Sequence, residues 1–549
     1  MNRARLVRAA CVLAALTCFA GPLRNPDLYW HLSAGAAIAS ARALPRADWL
    51  SHTMAGKPWL DFEWLPQLLY LGAWRAGGYV ALILLRLLTM AATLGASAAL
   101  LSLYGCPPAE QGALLLLEAC ALFPYGDLRP DNFSCLFFAL LLLALEAWRL
   151  ERLRATPSRA AAAAALLFGA WSNMHLGLLY GLALLGLYAA ESGASRERRK
   201  IAAAALAGAA FGCLLNPFGL RLLEVLPEHF AYMGTLSRTI CEWKPARLSS
   251  WWVWPFDAVL ALSALALGRQ AARRRGFPAA LAAAWVACAA AALSHERNMS
   301  YFILLAVPAL WLLAPAAIGP RARAAALLAC AAFLGAGVWP FFRGPLAPEM
   351  PAAMTDFIAA NAEALSGLKL YNGWSDGGYL GWRLAPRWKV FFDGRYLFHG
   401  LLEETKVAAT SDAAWRALMT RYDVELACMS RSTLHPSFDG LPKDGAPVQV
   451  RRPYYSAYMP RARWALVYWD RRDMVFARRD RAPAAWLRAH EYLQLRPDDS
   501  ERLAFDAVAG LIPDAALDAE VSRHEREAPT AADEGRGLAA WLRALPRRR

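Results

Sequence analysis

The stretch RNPDLYWHLSAGAAIASARALPRADWLSHTMAGKPWLDFEWLPQLLY, residues 24–70, indicates the fold class, because it is a polar and aromatic loop between two apolar segments. Asp27, His31, Asp61 and Glu63 stand in it among tryptophans and tyrosines. Trp and Tyr concentrate where a membrane meets water, and ionisable side chains are costly there unless they are paired or used. The stretch therefore predicts an extracytoplasmic loop held at a membrane surface. The alternative is an amphipathic interfacial helix whose aromatics lie at headgroup level.

The composition of the whole chain is typical of a membrane protein that also has a polar part. Of 549 residues, 58% are hydrophobic and only 19% are charged, against roughly 25% charged in soluble proteins. A mean hydropathy of +0.26 indicates that a polar region dilutes an apolar one. This excludes a disordered chain, a fibrous repeat and a single soluble enzyme. The ten cysteines are scattered without a CxxC pair, which argues against a zinc ribbon or a disulfide scaffold.

Apolar segments follow one another through the first two thirds of the chain. We predict eleven of them, at 8–23, 79–103, 109–124, 131–148, 160–174, 176–191, 201–218, 254–268, 279–293, 300–314 and 324–341. Several are shorter than the roughly 20 residues of a perpendicular span, so flanking residues or a locally thin bilayer must supply the rest. The first follows Arg3, Arg5 and Arg8 and fits an uncleaved first span, which we favour, or a signal peptide. Both alternatives give the same downstream topology.

Basic residues in the short linkers give the orientation. They follow every second segment: Arg149, Arg152, Arg154 and Arg159; Arg196, Arg198, Arg199 and Lys200; Arg269, Arg273, Arg274 and Arg275; Arg321 and Arg323. Cytoplasmic loops carry such an excess. We therefore expect a cytoplasmic N-terminus, with the 24–64 loop, the 219–253 loop and everything after Phe342 outside the cytoplasm. The net charge of +15 is then largely a topology signal, and no nucleic-acid partner is expected.

The chain changes character at about residue 345. Short strand-like runs alternate with helical stretches: strands at 368–371, 390–392, 424–429, 465–468 and 474–477, and helices at 355–365 and 413–422. This alternation predicts a small α/β domain. We therefore divide the chain into a transmembrane domain (1–344, with the first periplasmic loop at 24–64), a periplasmic α/β domain (345–482) and a C-terminal helical tail (483–549).

Two charges lie inside the predicted spans. Arg86 is seven residues from the external end of the second segment, and Glu118 is six residues from that of the third. At 1.5 Å per residue both are about 10 Å deep. Since a lone charge in a membrane is expensive, we predict that they form an ion pair. The alternative is that they contact the substrate.

The tail contains a candidate ligand-binding region. Residues 372–379, NGWSDGGY, predict a glycine-rich turn between a strand and a helix, which places Asp376 beside backbone N–H groups suited to an anion. Asp393 and Arg395 follow the 390–392 strand, where open α/β sheets bind ligands. All three are candidates for acceptor binding, and the alternative for Asp393 and Arg395 is that they fix a turn. No nucleotide-binding or hydrolase motif is present.

Several stretches together resemble a known family. They are NPDLYWHLSAG and LPRADWLSHTMAGKPWLDFEW in the first loop, then WSNMH (171–175), LLNPFG (214–219), CEWKP (241–245), ERNMSYF (296–302) and YNGWSDGGYLGWRLAPRWKVFFDGR (371–395). In this order they are similar to bacterial polytopic proteins grouped with the GT-C glycosyltransferases. The resemblance implies a polytopic α-helical protein of the bacterial inner membrane, with about eleven transmembrane helices and a C-terminal periplasmic α/β domain. It also implies a polyprenyl-phosphate-sugar donor and an acidic residue in the first external loop.

The chemistry of such a donor assigns roles to the loop residues. A carboxylate must take the proton from the acceptor hydroxyl; Asp27 is our candidate, because it matches the family's loop acid and lies one helical turn from His31. His31, Asp61 and Glu63 are the candidate active-site partners. Asp27, Asp61 and Glu63 are also candidate ligands for a divalent metal, Mg²⁺ or Mn²⁺, and no other cofactor is implied.

The departing phosphate needs positive charge or N–H donors at the height of the headgroups. Arg129, His175 and Arg297 lie at the external ends of predicted spans and are the candidates. The alternatives are headgroup contacts for the arginines and a capping or packing role for His175.

The predicted function is transfer of a sugar from a polyprenyl-phosphate-linked donor to an extracytoplasmic glycan, lipid or protein. One alternative is a transporter or flippase for a lipid-linked glycan. Such a protein would need a polar path through the spans and internal repeats, and neither is evident in the sequence. The other is a non-catalytic membrane scaffold of an envelope assembly.

Overall fold

A computed structural model describes residues 3–546, except for 192–194, 249, 274–276, 314–318, 345–348, 433–434, 436 and 440–448. Arg274 and Arg275 of the third predicted basic linker lie outside the described residues. The chain forms two compact units: Met1–Arg46 with Leu60–Glu349, and Ala47–Trp59 with Met350–Arg549. A piece of the first loop thus belongs to the second unit.

The first unit is helical. Its α-helices are α1 (Arg3–Ala20), α2 (Leu28–Ala41), α3 (Trp64–Leu103), α4 (Pro108–Leu122), α5 (Asp131–Arg149), α6 (Pro157–Trp171), α7 (Leu178–Glu191), α8 (Arg196–Leu214), α9 (Val225–Ala231), α10 (Met233–Thr239), α11 (Trp254–Ala272), α12 (Ala279–Ser294), α13 (Met299–Leu313) and α14 (Pro320–Phe333). Short 3₁₀ helices cover Gly219–Glu224, Cys241–Trp243 and Glu296–Asn298. Each of the eleven predicted apolar segments overlaps one of these α-helices.

In the part of the chain that the structure describes, three helical stretches are long and apolar enough to cross a membrane: Trp64–Leu103, Asp131–Arg149 and Pro320–Arg343. A fourth is Arg196–Leu214 if it counts as one broken span with Gly219–Ala231, to which it is bent by 84°. These helices indicate a membrane protein. The count of about eleven spans remains a prediction.

Glycines and prolines explain several helix boundaries and contacts. Prolines at the first position begin α4, α6 and α14, where the missing N–H costs nothing. Helix α3 is broken at Gly77 and Gly78, and Gly78 has the left-handed φ of 56° that glycine tolerates. The predicted apolar segment begins directly after this break, at residue 79. Helices α6 and α8 pack backbone to backbone, because a Cβ at Gly208 would overlap the carbonyl oxygen of Ala161.

The second unit is built around a four-stranded sheet. The strands are β1 (Leu370–Tyr371), β2 (Leu426–Ser430), β3 (Ser437–Asp439), β4 (Gln449–Arg451), β5 (Trp464–Trp469) and β6 (Asp473–Arg478). The main sheet has the order β1-β2-β6-β5, with β1 parallel to β2 and the other pairs antiparallel; β3 and β4 form a separate antiparallel pair. Its helices are α15 (Ala352–Ala360), α16 (Ala362–Leu365), α17 (Gly377–Leu384), α18 (His399–Ala408), α19 (Asp412–Arg421), α20 (Tyr455–Tyr458), α21 (Ala484–His490), α22 (Ser500–Val508), α23 (Asp514–Glu527) and α24 (Ala532–Ala544).

The predicted strand at 390–392 is wrong. Val390 makes only an isolated bridge to Ser51, in the first-loop piece of the same unit. Its N–H donates to the carbonyl of Leu50, and its carbonyl accepts from the N–H of His52. The backbone of Val390 is therefore satisfied by a segment more than 300 residues away in sequence, and the side chain of Asn372 bonds the N–H of Phe391 and the carbonyl of Phe392. No local pattern reveals these partners.

The predicted ion pair between Arg86 and Glu118 is also wrong. Arg86 pairs with Asp127 at 2.7 Å and donates to the carbonyl oxygens of Phe19, Gly21 and Pro22. Glu118 is fully buried and accepts a hydrogen bond from Ser97 Oγ at 2.6 Å.

Candidate active site

Glu63 has three other carboxylates of the first unit within electrostatic reach, those of Asp27, Asp61 and Asp131. Glu63 directly precedes α3, Asp27 precedes α2, and Asp131 begins α5. Burial raises the pKa of Glu63 well above its usual value, and the nearby carboxylates of Asp61, Asp27 and Asp131 raise it further, against the opposing effect of Arg297. The structure therefore brings the three predicted acids together and adds Asp131, which the sequence analysis missed. An electrostatically crowded carboxyl group is typical of functional sites.

Asp61 is almost fully buried, and its Oδ1 accepts a hydrogen bond of 2.6 Å from Gln67 Nε2 in the first turn of α3. His31 is likewise buried. It stacks on Trp30 and meets the edge of Tyr70 on α3. Burial lowers the pKa of His31 well below its usual value, and Arg129 and His175 lower it further. The neutral imidazole is enclosed between Trp30 of α2 and Tyr70 of α3, and its role in the site stays a prediction.

His175 lies in the turn between α6 and α7, close to two of the acids. Its Nδ1 is 3.4 Å from Asp131 Oδ1, and its Nε2 is 4.0 Å from Glu63 Oε1. Burial lowers the pKa of His175 to about 4, so the ring is neutral at neutral pH. As a phosphate ligand it would act as an N–H donor rather than as a cation.

The rest of the WSNMH motif ties helix ends together. Trp64 at the start of α3 donates to the side-chain oxygen of Asn173 at 2.9 Å. The Asn173 amide donates in turn to the carbonyls of Gly169 and Leu215, at the ends of α6 and α8. The motif thus fixes Trp64, which directly follows Glu63, relative to the turn that carries His175.

Arg129 and Arg297 converge on one carboxylate, that of Glu242. Arg129 forms a direct ion pair with Glu242, and Arg297 Nη1 lies 3.9 Å from its other oxygen. Arg297 also lies over the ring of Trp243, 4.3 Å from its centroid. Burial alone would raise the pKa of Glu242, but the two guanidinium groups outweigh burial and lower it. Two arginines that hold one anion in this way are suited to an anionic ligand.

The donor atoms near Glu63 are carboxylate oxygens and an imidazole nitrogen, which suit Mg²⁺ or Mn²⁺ in chemical type. Among the described residues, however, no three His, Cys, Asp or Glu side chains converge closely enough to hold a metal ion. Metal binding by Asp27, Asp61 and Glu63 therefore stays a prediction.

The candidate residues of the second unit are engaged in ion pairs. Asp376 pairs with Arg472 at 2.6 Å. Arg395 is enclosed between the carboxylates of Asp393 and Asp48, each 2.7 Å away, and its guanidinium faces the ring of Trp59. For Asp393 and Arg395 this favours the structural alternative, since their charges are used to hold the first-loop piece in the unit.

Glu242 and Asp127 are the other residues that the sequence analysis missed. Glu242 stands in CEWKP, a stretch noted only for its resemblance, and Asp127 stands two residues before Arg129. An acid near an external helix end was the available signal in both cases, but only tertiary packing reveals its partner.

The fold has known counterparts. No protein-family model matches the chain, and no curated protein matches it. Solved structures of the oligosaccharyltransferase from Archaeoglobus fulgidus are similar to it. The form tethered to an acceptor peptide with the NVT sequon has a TM-score of 0.54 and 12% identity over 91% of this chain and 82% of that chain. The apo form has a TM-score of 0.53 and 12% identity over 96% and 87%. The chain therefore has a fold similar to that of this oligosaccharyltransferase.

Proposed function

We propose that this protein is a membrane glycosyltransferase of the GT-C type, which moves a sugar from a polyprenyl-phosphate-linked donor to an extracytoplasmic acceptor. The observation that carries the proposal is the presence, within one unit of this fold, of acids around Glu63 and of an arginine pair on Glu242. Glycosyl transfer needs both kinds of charge: negative groups beside the acceptor and the sugar, and positive groups beside the departing phosphate.

Each group then has a role in the proposed reaction. Asp27 takes the proton of the acceptor nucleophile, and the carboxyls of Asp61 and Glu63 are its partners in the site. Arg129 and Arg297 hold the phosphate oxygens, and His175 adds a neutral N–H donor. General base catalysis contributes roughly 10²–10⁴-fold to the rate.

The acceptor class and the cellular location are part of the proposal. The similar Archaeoglobus structure carries an acceptor peptide, so a peptide is the first acceptor to test, with glycans and lipids after it. The basic linkers support an inner-membrane location with the second unit on the periplasmic side.

The test is sugar release from radiolabelled polyprenyl-phosphate and polyprenyl-diphosphate sugars by the purified full-length protein in nanodiscs. Wild type, Asp27→Asn, Glu63→Gln and the control Glu224→Gln are compared with and without Mg²⁺ or Mn²⁺, in the presence of an acceptor peptide panel. Glu224 is an exposed acid of the 219–253 loop that pairs with Arg221. We expect turnover by wild type and control, and a loss of roughly 100-fold or more in Asp27→Asn. If Asp27→Asn turns over as fast as wild type, another acid must be the general base. If the wild-type protein binds none of the donors, the proposal is contradicted.

A further inference from the structure

A chain of polar groups runs from α6 to His175. Ser134, in the first turn of α5, is fully buried. Trp171 Nε1–H donates to Ser134 Oγ at 2.7 Å, and Ser134 Oγ lies 3.0 Å from His175 Nδ1. The backbone N–H of Gly177 donates to the same His175 nitrogen at 3.0 Å.

The direction of these hydrogen bonds follows from the chemistry of the groups. An indole N–H can only donate, so Ser134 Oγ accepts from Trp171, and its own hydrogen is left for His175 Nδ1 or for the Tyr301 hydroxyl, with which Ser134 also hydrogen-bonds. A backbone N–H can also only donate. The Gly177 N–H therefore requires an unprotonated Nδ1, which puts the proton of the neutral ring on Nε2, and the Ser134 hydroxyl can then only donate to Nδ1.

Asp131 is the competing group. Its Oδ1 lies 3.4 Å from His175 Nδ1 and would favour a proton there, but it already accepts a hydrogen bond of 2.8 Å from the Tyr301 hydroxyl. Close packing holds these groups together, because a Cβ at Gly177 would overlap both Tyr301 Oη and Ser134 Oγ. The charged and titratable groups around the ring are Glu63, Asp131, Arg297, His229, Glu242 and His31.

We propose that Ser134, held by Trp171, is a positioning residue that fixes His175 as the Nε2–H tautomer. The imidazole then presents a neutral N–H donor on its Glu63 side, to an oxygen of the departing phosphate. The role of the phosphate rests on the proposed function, whereas the tautomer does not. The Nδ1–H tautomer would instead present the Nε2 lone pair to the phosphate, which needs an N–H donor.

The test is ¹⁵N NMR of the full-length protein in nanodiscs with labelled histidine, in which protonated and unprotonated ring nitrogens give separate signals. The His175 signals are assigned by their loss in His175→Gln. We expect the Nε2–H tautomer in wild type and a new Nδ1–H population in Ser134→Ala. Trp171→Phe, which frees the Ser134 hydroxyl to turn, is the second variant and should show the same change. Ser172→Ala is the matched control, since Ser172 is a buried serine of the same motif that donates to the carbonyl of Gly169.

An Nδ1–H ring in wild type would overturn the proposal, and so would an unchanged tautomer in both Ser134→Ala and Trp171→Phe, since Gly177 alone would then suffice. Once a donor is known, Ser134→Ala should lower kcat roughly 10- to 100-fold with little change in KM, as loss of an orienting hydrogen bond does. Absence of turnover in wild type would count against the proposed function, while the NMR result would still decide the role of Ser134.

Discussion

The guanidinium group of Arg86 lies 2.7 Å from the carboxylate of Asp127, and less than a tenth of either side chain is exposed. Three backbone carbonyls at the end of α1 and just after it accept the other N–H groups of Arg86. Asp127 also accepts from the backbone N–H of Arg24. The pair therefore ties α1 and α3 to the turn that carries Arg129.

Breaking this pair leaves a buried charge without compensation. Asp127→Asn should lower the free energy of unfolding by roughly 3 kcal/mol or more. Glu224→Gln, which breaks the exposed pair with Arg221, should change it by less than about 1 kcal/mol. Denaturation of the purified protein in detergent measures both. Equal stability of the two variants would contradict a structural role for Asp127.

The same residues show what the sequence can and cannot predict. Apolar runs of the right length predicted the helices, because hydrophobic burial is a local pattern in a membrane protein. The depth of Arg86 correctly indicated that it needs an acid, but depth gives no rotation about the helix axis, so Glu118 was chosen instead of Asp127. In the candidate site, Asp27, Asp61 and Glu63 were predicted from one loop. Asp131 and Glu242 come from distant stretches, and only tertiary packing brings them in.

Arg395 should hold the first-loop piece in the second unit. Because Arg395 forms a planar, bidentate contact with Asp393 and reaches Asp48 as well, Arg395→Lys cannot replace it. We expect a loss of roughly 2–3 kcal/mol in stability and faster proteolysis within residues 47–59. The control Arg387→Lys, at an exposed position, should change stability by less than about 0.5 kcal/mol. Wild-type proteolysis in Arg395→Lys would show that the loop is held by other contacts.

Asp473 should make the stability of the protein depend on pH. Burial raises the pKa of Asp473 to about 7, with Asp376 and Asp470 adding to the effect and Arg472 opposing it. The folded chain therefore keeps a proton that the unfolded chain loses near its ordinary pKa of 3.8. The free energy of unfolding should therefore fall as the pH rises from about 4 to about 7, and it should level off above that, where both states have lost the proton.

Asp473→Asn should remove this dependence. The free energy of unfolding of the variant should therefore rise relative to that of wild type between about pH 5 and about pH 8. Denaturant unfolding at the two pH values measures the gain. The control Asp480→Asn should show no such gain, because Arg478 lowers the pKa of that exposed acid. Parallel pH profiles for wild type and Asp473→Asn would refute the prediction.

The contact between α6 and α8 should tolerate no side chain at Gly208. A Cβ there meets the backbone of Ala161, which cannot rotate away, so Gly208→Ala should destabilise the protein by roughly 1–3 kcal/mol. Gly186 of α7 has open space around its Cβ position. Gly186→Ala should therefore stabilise by up to about 1 kcal/mol, the ordinary helix preference. Thermal unfolding in detergent compares them, and a neutral Gly208→Ala would mean that the helices are farther apart.

Arg297 should contribute to binding of the donor phosphate without being needed for the fold. Its guanidinium is partly exposed and lies 3.9 Å from Glu242, so Arg297→Gln removes one charge-assisted contact, worth roughly 1.5–3 kcal/mol. We expect the Kd for a polyprenyl-phosphate sugar in nanodiscs to rise about 10-fold or more. The control Arg221→Gln, at an exposed position of the 219–253 loop, should leave the Kd unchanged. If Arg297→Gln binds the donor as wild type does, the arginine pair serves Glu242 alone, and the phosphate must be held elsewhere.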